Sequence, residues 1–292
     1  MNYRHIYHAG NFADVFKHML LITLIRSLSA KDKPFCYLDT HAGISHYDLQ
    51  TEAAQKTNEA KAGIFRLWDM LQTSSLLPEP ITDYLELVRL WNKQHGQLQL
   101  RFYPGSPVLA RYCLRQQDRM ILTEMHPEDI LVLKQQYAGD KSVAVHHLNG
   151  YQGMKAFLPP REGRGLVFID PPFENTDEFA LLLQHLQLAL QRFSSGVYAI
   201  WYPIKSLASV KRFYRELKAS GIRKILCCEF HLPKLTDNAL ALAAGSKLRS
   251  SGILVINPPW HWEDTANKVL SWLSQNFTKP SGSYQVEWLV PE

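Results

Sequence analysis

The sequence predicts an α/β fold with a mainly parallel, seven-stranded sheet and a helical insertion. Three observations support this prediction: short apolar runs alternate with amphipathic helical patterns, polar residues follow the ends of several runs, and one long stretch shows helical patterns alone. Strands that alternate with helices form parallel sheets with right-handed crossovers. A chain of 292 residues is long enough for one such domain with an insertion.

The chain begins with a buried helix, a short strand and the insertion. Apolar residues at helical spacing predict a helix that ends near Ser29: Phe12, Val15, Phe16, Met19 and Leu20. The first strand is predicted at residues 35–38. Residues 44–99 show amphipathic helical patterns without a strand pattern, so we assign them to a helical insertion. The α/β domain then comprises residues 1–43 and 100–292.

Six further strands follow the insertion. They are predicted at residues 120–122, 142–146, 166–169, 197–202, 225–230 and 253–256, with helices at residues 127–137, 178–191 and 206–218. The last strand is expected to be antiparallel, because only one helical segment and a tail follow it in the chain.

Polar or glycine-containing segments follow the first four strands of the predicted sheet. They are residues 39–43, Glu124, the pair Asn149-Gly150, and Asp170. The carboxyl ends of parallel strands converge on one crevice, which is where α/β sheets bind ligands. Glu124 is suited to accept hydrogen bonds from two ribose hydroxyls, and Asn149 to hydrogen-bond an adenine edge. These strand ends predict a cofactor that carries a nucleoside, although each of them also fits an ordinary turn or cap.

The sequence argues against dinucleotide enzymes, P-loop NTPases and metal sites. The first strand is followed by a loop without the G-x-G-x-x-G pattern, and no G-x-x-x-x-G-K-S/T occurs. Several histidines lie near the first strand without an H-E-x-x-H pattern or a cysteine companion, so no metal is expected. We instead expect His18 and His41 to line the crevice as hydrogen-bond donors.

The tetrapeptide Asp170-Pro171-Pro172-Phe173 follows a buried apolar run and is the most informative motif of the chain. Its two prolines remove backbone donors and restrict the turn, which leaves carbonyls able to accept hydrogen bonds. Two acceptors beside a flat aromatic surface suit a planar group that bears an NH2, such as adenine. The motif resembles the D/N-P-P-Y/F/W signature of S-adenosylmethionine-dependent amino-methyltransferases, and it also fits an ordinary strand-ending turn.

A second tetrapeptide, Asn257-Pro258-Pro259-Trp260, matches the same signature. A methyl-donor site needs a cofactor strand before it and further sheet after it. Asp170 has candidate strands on both sides, whereas Asn257 has little sheet after it. We therefore assign the site to Asp170 and the second tetrapeptide to the end of a late antiparallel strand.

The net charge and the cysteine content limit which kinds of partner and which cellular compartment are expected. The net charge of +5 permits a nucleic-acid partner without requiring one. The four cysteines form no C-x-x-C pair, which favours buried reduced thiols in a cytoplasmic protein. The N-terminus lacks the apolar core of a signal peptide, and the apolar run at residues 19–25 is too short to span a bilayer. We expect a cytoplasmic monomer without a membrane partner.

Short motifs spread over nearly the whole chain carry a specific resemblance. They include Tyr3-Arg4-His5, His8-Ala9-Gly10-Asn11, Leu38-Asp39-Thr40-His41-Ala42-Gly43, Tyr103-Pro104-Gly105-Ser106-Pro107, Asp170-Pro171-Pro172 and Trp201-Tyr202-Pro203. Together these motifs resemble the RlmJ family of 23S ribosomal RNA adenine methyltransferases.

The resemblance implies a Rossmann-like methyltransferase fold, S-adenosylmethionine as methyl donor, and methylation of the 6-amino group of an adenine in 23S ribosomal RNA. It implies Asp170 as the catalytic carboxylate, with Tyr3, His5 and Lys17 near the target base or closing over it. Cofactor contacts are implied for His18, His41, Gly43, Ser106, Glu124, Asn149, Gly150 and Asp170. The chain departs from the family pattern at two positions, where the family commonly has Tyr for Phe173 and Asp for Asn149.

In such a reaction the amine of adenine needs activation, because its lone pair is delocalised into the ring. Asp170 and the carbonyl of Pro171 would each accept one N–H and stabilise the positive charge that grows on nitrogen. Phe173 would stack on the base, which must leave its own stack to reach the site. Lys17 and Arg4 are either phosphate contacts or solvated charges. The insertion offers a basic surface for RNA through Lys56, Lys61 and Arg66.

Two other functions remain open from the sequence. A DNA adenine methyltransferase would share the chemistry of the tetrapeptide. A nucleic-acid-binding protein without activity, involved in the use of external DNA, belongs to a different class, and an intact Asp170-Pro171-Pro172-Phe173 argues against it.

Overall fold

The computed structural model describes residues 4–73, 77–233, 248–277 and 281–292. Its strands are β1 (Cys36–Asp39), β2 (His46–Asp48), β3 (Phe102–Pro104), β4 (Arg119–Glu124), β5 (Val143–His147), β6 (Gly165–Ile169), β7 (Val197–Pro203), β8 (Ile225–His231), β9 (Ser250–Ile256) and β10 (Ser283–Val290). Its helices are α1 (Phe12–Ser29), α2 (Glu52–Thr57), α3 (Ile64–Thr73), α4 (Glu79–Gln94), α5 (Ser106–Cys113), α6 (Asp129–Tyr137), α7 (Gly150–Phe157), α8 (Glu178–Arg192), α9 (Leu207–Ala219) and α10 (Trp262–Trp272).

In the described ranges, eight strands form the main sheet, in the order β10-β8-β9-β7-β6-β1-β4-β5. The strands from β7 to β5 in this order are parallel, whereas β9 is antiparallel to both of its neighbours and β10 to β8. The prediction of a mainly parallel α/β fold is confirmed, and the predicted number of seven strands is wrong. The eighth strand, β10, is an edge strand whose residues are mostly exposed, so it lacks the continuous apolar run of a buried strand.

The strand order places a switch point at β1. The chain adds β4 and β5 on one side of β1 and then crosses back to place β6 on the other side. Loops that leave neighbouring strands in opposite directions open a crevice at such a point. The carboxyl ends of β1, β4, β6 and β7 therefore frame one site.

In its described part, the segment from residue 44 to 99 contains three α-helices, α2 to α4, a 3-10 helix at Glu59–Ala62, and a short strand that was not predicted. Strand β2 pairs antiparallel with β3, which lies outside the predicted insertion. Only one of the three residues of β2, Tyr47, is apolar and buried, so the strand has no sequence pattern to reveal it. Arg101 binds Asp48 at 2.8 Å across the same pair of strands. The division into residues 44–99 and the rest stays a prediction.

Two hydrophobic layers cover the sheet, one on each face. The first includes α1, α4, α5 and α10, and the second includes α7, α8 and α9. Helix α1 is apolar on all sides and almost fully buried, so its polar residues near the N-terminal end, including Lys17 and His18, are held inside the protein. Cys227 and Cys228 belong to opposite layers, and all four cysteines are buried and free, as predicted.

The second tetrapeptide lies at the amino ends of the parallel strands, whereas the crevice lies at their carboxyl ends. Because β9 is antiparallel to β7, the residues after Ile256 emerge where the parallel strands begin. Asn257 has a left-handed backbone with φ 53°, and its Nδ2 donates to the carbonyls of Ser194 and Gly196, both at 2.8 Å. The prediction of a late antiparallel strand is confirmed, and the side chain of Asn257 stabilises the turn after this strand through its two hydrogen bonds.

None of the helices in the described ranges is sufficiently long and apolar to cross a bilayer.

Candidate active site

A cavity of about 410 Å³ opens at the carboxyl ends of β1, β4, β6 and β7. This volume is within the range of small-molecule sites. The cavity collects most of the predicted site residues: His5, Lys17, His18, His41, Gly43, Ser106, Glu124, Asn149, Gly150, Asp170 and Pro171. The switch point of the sheet and the predicted site therefore coincide.

Glu124 joins two loops at the end of β4. Its Oε2 accepts a hydrogen bond from the amide of Gly43 at 2.8 Å, and its Oε1 accepts one from the amide of His126 at 2.7 Å. Gly43 has φ 62°, and a Cβ atom there would lie 2.4 Å from the hydroxyl of Tyr47. Both the backbone conformation and the lack of space require glycine at this position. The carboxylate keeps further lone pairs for a ligand.

Asp39 lies beneath the first loop and is fully buried. Its Oδ2 accepts hydrogen bonds from Tyr37 at 2.8 Å and Ser106 at 2.7 Å, and its Oδ1 accepts one from the amide of His41 at 3.2 Å. Burial raises the pKa of Asp39 to about 6, although the hydrogen bonds from Ser106 and Tyr37 oppose the shift. Asp39 thus positions two predicted cofactor residues, a role that the sequence analysis missed.

Asn149 caps helix α7. Its Oδ1 accepts hydrogen bonds from the amides of Tyr151 at 3.0 Å and Gln152 at 3.3 Å. Because the cap uses the oxygen, the side chain presents its NH2 group, a donor, to a ligand. A Cβ atom at Gly150 would lie 2.3 Å from the carbonyl oxygen of Thr40, so only glycine allows this close approach.

Two histidines in the cavity wall are neutral. His18 is 2% exposed, its Nδ1 lies 2.7 Å from the hydroxyl of Tyr103, and burial lowers its pKa to about 3. The Nδ1 of His41 lies 2.8 Å from Oγ1 of Thr40, and burial lowers the pKa of His41 to about 4. Both rings contribute hydrogen bonds without adding positive charge.

A chain of charged contacts runs from the N-terminal segment to Asp170. Nε2 of His5 lies 2.9 Å from Oδ2 of Asp14, and Nζ of Lys17 lies 2.7 Å from Oδ1 of Asp14 and 2.6 Å from Oδ2 of Asp170. Burial alone would raise the pKa of Asp14, but the charges of His5 and Lys17 hold it well below its usual value. The hypothesis of Lys17 as a phosphate contact or a solvated charge is wrong, because Lys17 is buried between two carboxylates.

Three residues of the tetrapeptide line the cavity, and the fourth packs against the hydrophobic core. Asp170, Pro171 and Pro172 line the cavity, whereas the ring of Phe173 does not. Phe173 has a strained backbone with φ 47°, and its ring centroid lies 5.0 Å from that of Phe179. Stacking of Phe173 on a base stays a prediction.

The cavity residues that were not predicted as site residues include Asp14, Trp201 and Lys205. Trp201 occurs within one of the motifs that carry the family resemblance, but neither Asp14 nor Trp201 has a sequence pattern that signals its contacts. Arg4, a hypothetical phosphate contact, pairs with Glu128 at 2.7 Å. Tyr3 lies outside the described residues. In those residues, no group of three or more His, Cys, Asp or Glu side chains is arranged to hold a metal ion.

Comparison with known proteins identifies the family. The family model for "Ribosomal RNA large subunit methyltransferase D, RlmJ" matches residues 32–290. Two relatives named "Ribosomal RNA large subunit methyltransferase J" match over 293 residues and all of both chains, with 43% identity in Haemophilus influenzae and 41% in Escherichia coli. A crystal structure of a Legionella pneumophila protein is 35% identical, covers 96% of this chain and 98% of that chain, and superposes with a TM-score of 0.84. The chain belongs to the RlmJ family of ribosomal RNA large subunit methyltransferases.

Proposed function

We propose that this protein transfers a methyl group from S-adenosylmethionine to the 6-amino group of an adenine in 23S ribosomal RNA. The observation that carries the proposal is the position of Asp170 and Pro171 in the cavity at the end of β6, beside the switch point. The names of the relatives support large-subunit ribosomal RNA as the substrate. The tetrapeptide supports the amine of adenine as the acceptor.

The cavity fits S-adenosylmethionine by the chemistry of its donors and acceptors. The carboxylate of Glu124 suits the ribose hydroxyls, and the NH2 group of Asn149 suits a ring nitrogen of the adenine. Neutral His18 and His41 do not repel the positive sulfonium, which supplies the methyl group when the cofactor is bound. Ser106 and Gly43 complete the binding surface at the end of β1.

Asp170 is placed to activate the amine. Lys17 donates to its Oδ2, which leaves Oδ1 as the acceptor for one N–H of adenine. The carbonyl oxygen of Pro171 accepts a hydrogen bond from the second N–H. The two hydrogen bonds favour a tetrahedral nitrogen, so its lone pair is less delocalised into the ring. The carboxylate also stabilises the positive charge that develops on nitrogen. The excess proton passes to Asp170 or to water after transfer.

The insertion extends the proposed RNA surface from the cavity mouth. His8 lines the cavity and its Nδ1 lies 3.0 Å from Oε1 of Glu59 in the insertion. Lys56 and Lys61 are exposed on the same segment, and Arg66 is half-buried. Such residues suit phosphates that flank a base turned out of its stack. A ribosomal RNA substrate supports a cytoplasmic location for the reaction, and we propose that the protein works as a monomer.

The test is methyl transfer by the purified protein to 23S ribosomal RNA and to DNA of matched sequence. Nucleosides are separated and identified by mass spectrometry. We expect N6-methyladenosine from the RNA and little product from the DNA. Product from DNA alone would indicate a DNA methyltransferase. Binding of nucleic acid without any product, and without binding of S-adenosylmethionine, would indicate the non-enzymatic alternative.

A further inference from the structure

Glu59 is a carboxylate of the helical insertion that lies almost fully buried behind the cavity wall. It begins the 3-10 helix Glu59–Ala62, and only 7% of the residue is exposed. Its Oε1 lies 3.0 Å from Nδ1 of His8, and its Oε2 accepts a hydrogen bond from Nδ2 of Asn11 at 2.9 Å. Burial of a carboxylate is costly unless such contacts compensate for the lost water. Both partners line the cavity, so Glu59 can influence the site through them.

Asn11 connects Glu59 to the catalytic carboxylate. Its Oδ1 accepts a 2.9 Å hydrogen bond from the amide of Asp14, so its side chain turns Nδ2, a donor, towards Glu59. Oδ1 of Asp14 lies 2.7 Å from Nζ of Lys17, and this ammonium group donates to Oδ2 of Asp170 at 2.6 Å. An unbroken series of polar contacts therefore runs from the insertion to the group that is proposed to activate the amine.

The backbone at Gly10 fixes the same junction between the insertion and the N-terminal segment. Its amide donates to Oδ2 of Asp14 at 2.8 Å, and its carbonyl accepts a hydrogen bond from the amide of Ile64 at 2.8 Å. A Cβ atom at Gly63 would lie 2.0 Å from that carbonyl oxygen, so the two segments approach as closely as glycine allows. They meet without a gap into which a displaced Glu59 could move.

The 3-10 helix that carries Glu59 also reaches the proposed RNA surface. Glu59 is buried, whereas Lys61, two residues later, is exposed. On the inner side of this helix, the hydrogen bond with Glu59 raises the pKa of His8, although burial opposes the shift. An RNA phosphate bound by Lys61 would thus lie on the same short helix that holds the cavity wall.

We propose that Glu59 is a positioning residue for methyl transfer, which orients Asn11 and His8 and thereby aligns Lys17 with Asp170. This inference rests on the proposed methylation of adenine. Both partners of Glu59 donate to it, because a carboxylate only accepts hydrogen bonds. A glutamine side chain has the same shape but offers one acceptor and one NH2 group. It therefore satisfies one partner and turns a donor towards the other.

The test compares Glu59→Gln and Glu59→Ala with Glu52→Gln as the control. Glu52 is an exposed glutamate of the same insertion, so its substitution removes an equal charge at the surface. Melting temperature, affinity for S-adenosylmethionine, and kcat and KM for ribosomal RNA are measured on each variant. Glu59→Gln is also introduced into a protein that carries Asn11→Ala and His8→Gln, in which both partners of the carboxylate are already lost.

We expect Glu59→Gln to lower kcat about tenfold, because a small misplacement of reacting groups slows the chemical step strongly. The KM for RNA and the affinity for S-adenosylmethionine should change less than about threefold. Glu59→Ala should lose at least as much kcat, and Glu52→Gln should match the unchanged protein. In the protein that lacks both partners, Glu59→Gln should change kcat less than about twofold, since the contacts it acts through are absent.

An unchanged kcat in Glu59→Gln would overturn the inference, and so would an equal loss of cofactor affinity, which indicates general loosening of the fold. A full loss of kcat from Glu59→Gln in the protein without the two partners would also overturn it. If Glu59→Ala fails to fold, Glu59→Gln carries the test. If the unchanged protein makes no N6-methyladenosine, the proposed function itself fails and this inference falls with it.

Discussion

At the scale of single residues, the choice between the two tetrapeptides is the sharpest prediction. Asp170→Ala removes the acceptor at the cavity and should reduce methyl transfer at least a hundredfold, with cofactor binding largely preserved. Asn257→Ala removes two hydrogen bonds at the amino ends of the parallel strands, away from the cavity. It should lower the melting temperature without a comparable loss of activity. Turnover and melting temperature of both variants decide the matter. An inactive, folded Asn257→Ala beside an active Asp170→Ala would reverse the assignment.

The departure at Asn149 carries a second prediction. Its oxygen caps α7, so it offers a donor where an aspartate would offer a free carboxylate oxygen to the 6-amino group of the cofactor. Asn149→Asp keeps the cap and should bind S-adenosylhomocysteine about tenfold more tightly, measured by calorimetry. S-inosylhomocysteine, which has oxygen in place of the amine, should gain nothing. Equal affinities of the two proteins for S-adenosylhomocysteine would exclude this contact.

The sequence predicted the members of the site better than their arrangement. Polar residues at strand ends can be recognised in the sequence, so Glu124, Asn149 and Asp170 could be predicted to lie at the cavity. The contact of Lys17 with Asp170 joins residues 153 positions apart, and no local pattern reports it. The packing of Phe173 outside the cavity depends on its left-handed backbone, which is unusual for a non-glycine residue.

At the scale of elements, the N-terminal segment contributes His5 and His8 to the lining of the cavity. It forms a short 3-10 turn at His5–Tyr7, and Arg4 ties it to the start of α6 through Glu128. Removing residues 1–8 deletes His5, which contacts the carboxylate that holds Lys17, and should reduce kcat more than cofactor affinity. Arg4→Ala, which removes only the surface ion pair, should cost much less. Full activity of the truncated protein would exclude a role over the base.

Elements with a strong periodic pattern were predictable, and elements defined by pairing were not. Helix α1 and the buried parallel strands follow from apolar spacing alone. Strands β2, β3 and β10 are short or mostly exposed, and they exist because a partner strand satisfies their backbone. Helix α7 begins at the Asn149 cap, which is a local feature. It also needs the space that Gly150 leaves for the carbonyl of Thr40 after β1, which is a tertiary feature.

At the scale of the whole molecule, buried titratable groups predict how stability depends on pH. Burial holds the pKa of His18 at about 3, so between pH 6.5 and 3 the unfolded chain binds a proton that the folded protein lacks. The free energy of unfolding therefore falls as the pH falls, by up to about 1.4 kcal/mol per pH unit. Asp39 acts in the opposite direction. Its pKa of about 6 means that the folded protein holds a proton between about pH 6 and 4 that the unfolded chain lacks, so this carboxyl adds stability as the pH falls.

Denaturant unfolding between pH 7 and 5 separates the two contributions. His18→Gln should flatten the loss of stability on acidification, whereas Asp39→Asn should steepen it. His261→Gln changes an exposed histidine and serves as the control. Parallel pH profiles for all the proteins would mean that neither buried group titrates as described.

The most direct test of the proposed function is a map of adenine methylation in 23S ribosomal RNA from cells that lack this protein. We expect one N6-methyladenosine to disappear, to return when the unchanged protein is supplied, and not to return with Asp170→Ala. An identical methylation map with and without the protein would contradict the proposed function. Restoration by Asp170→Ala would contradict the mechanism while leaving the substrate in place.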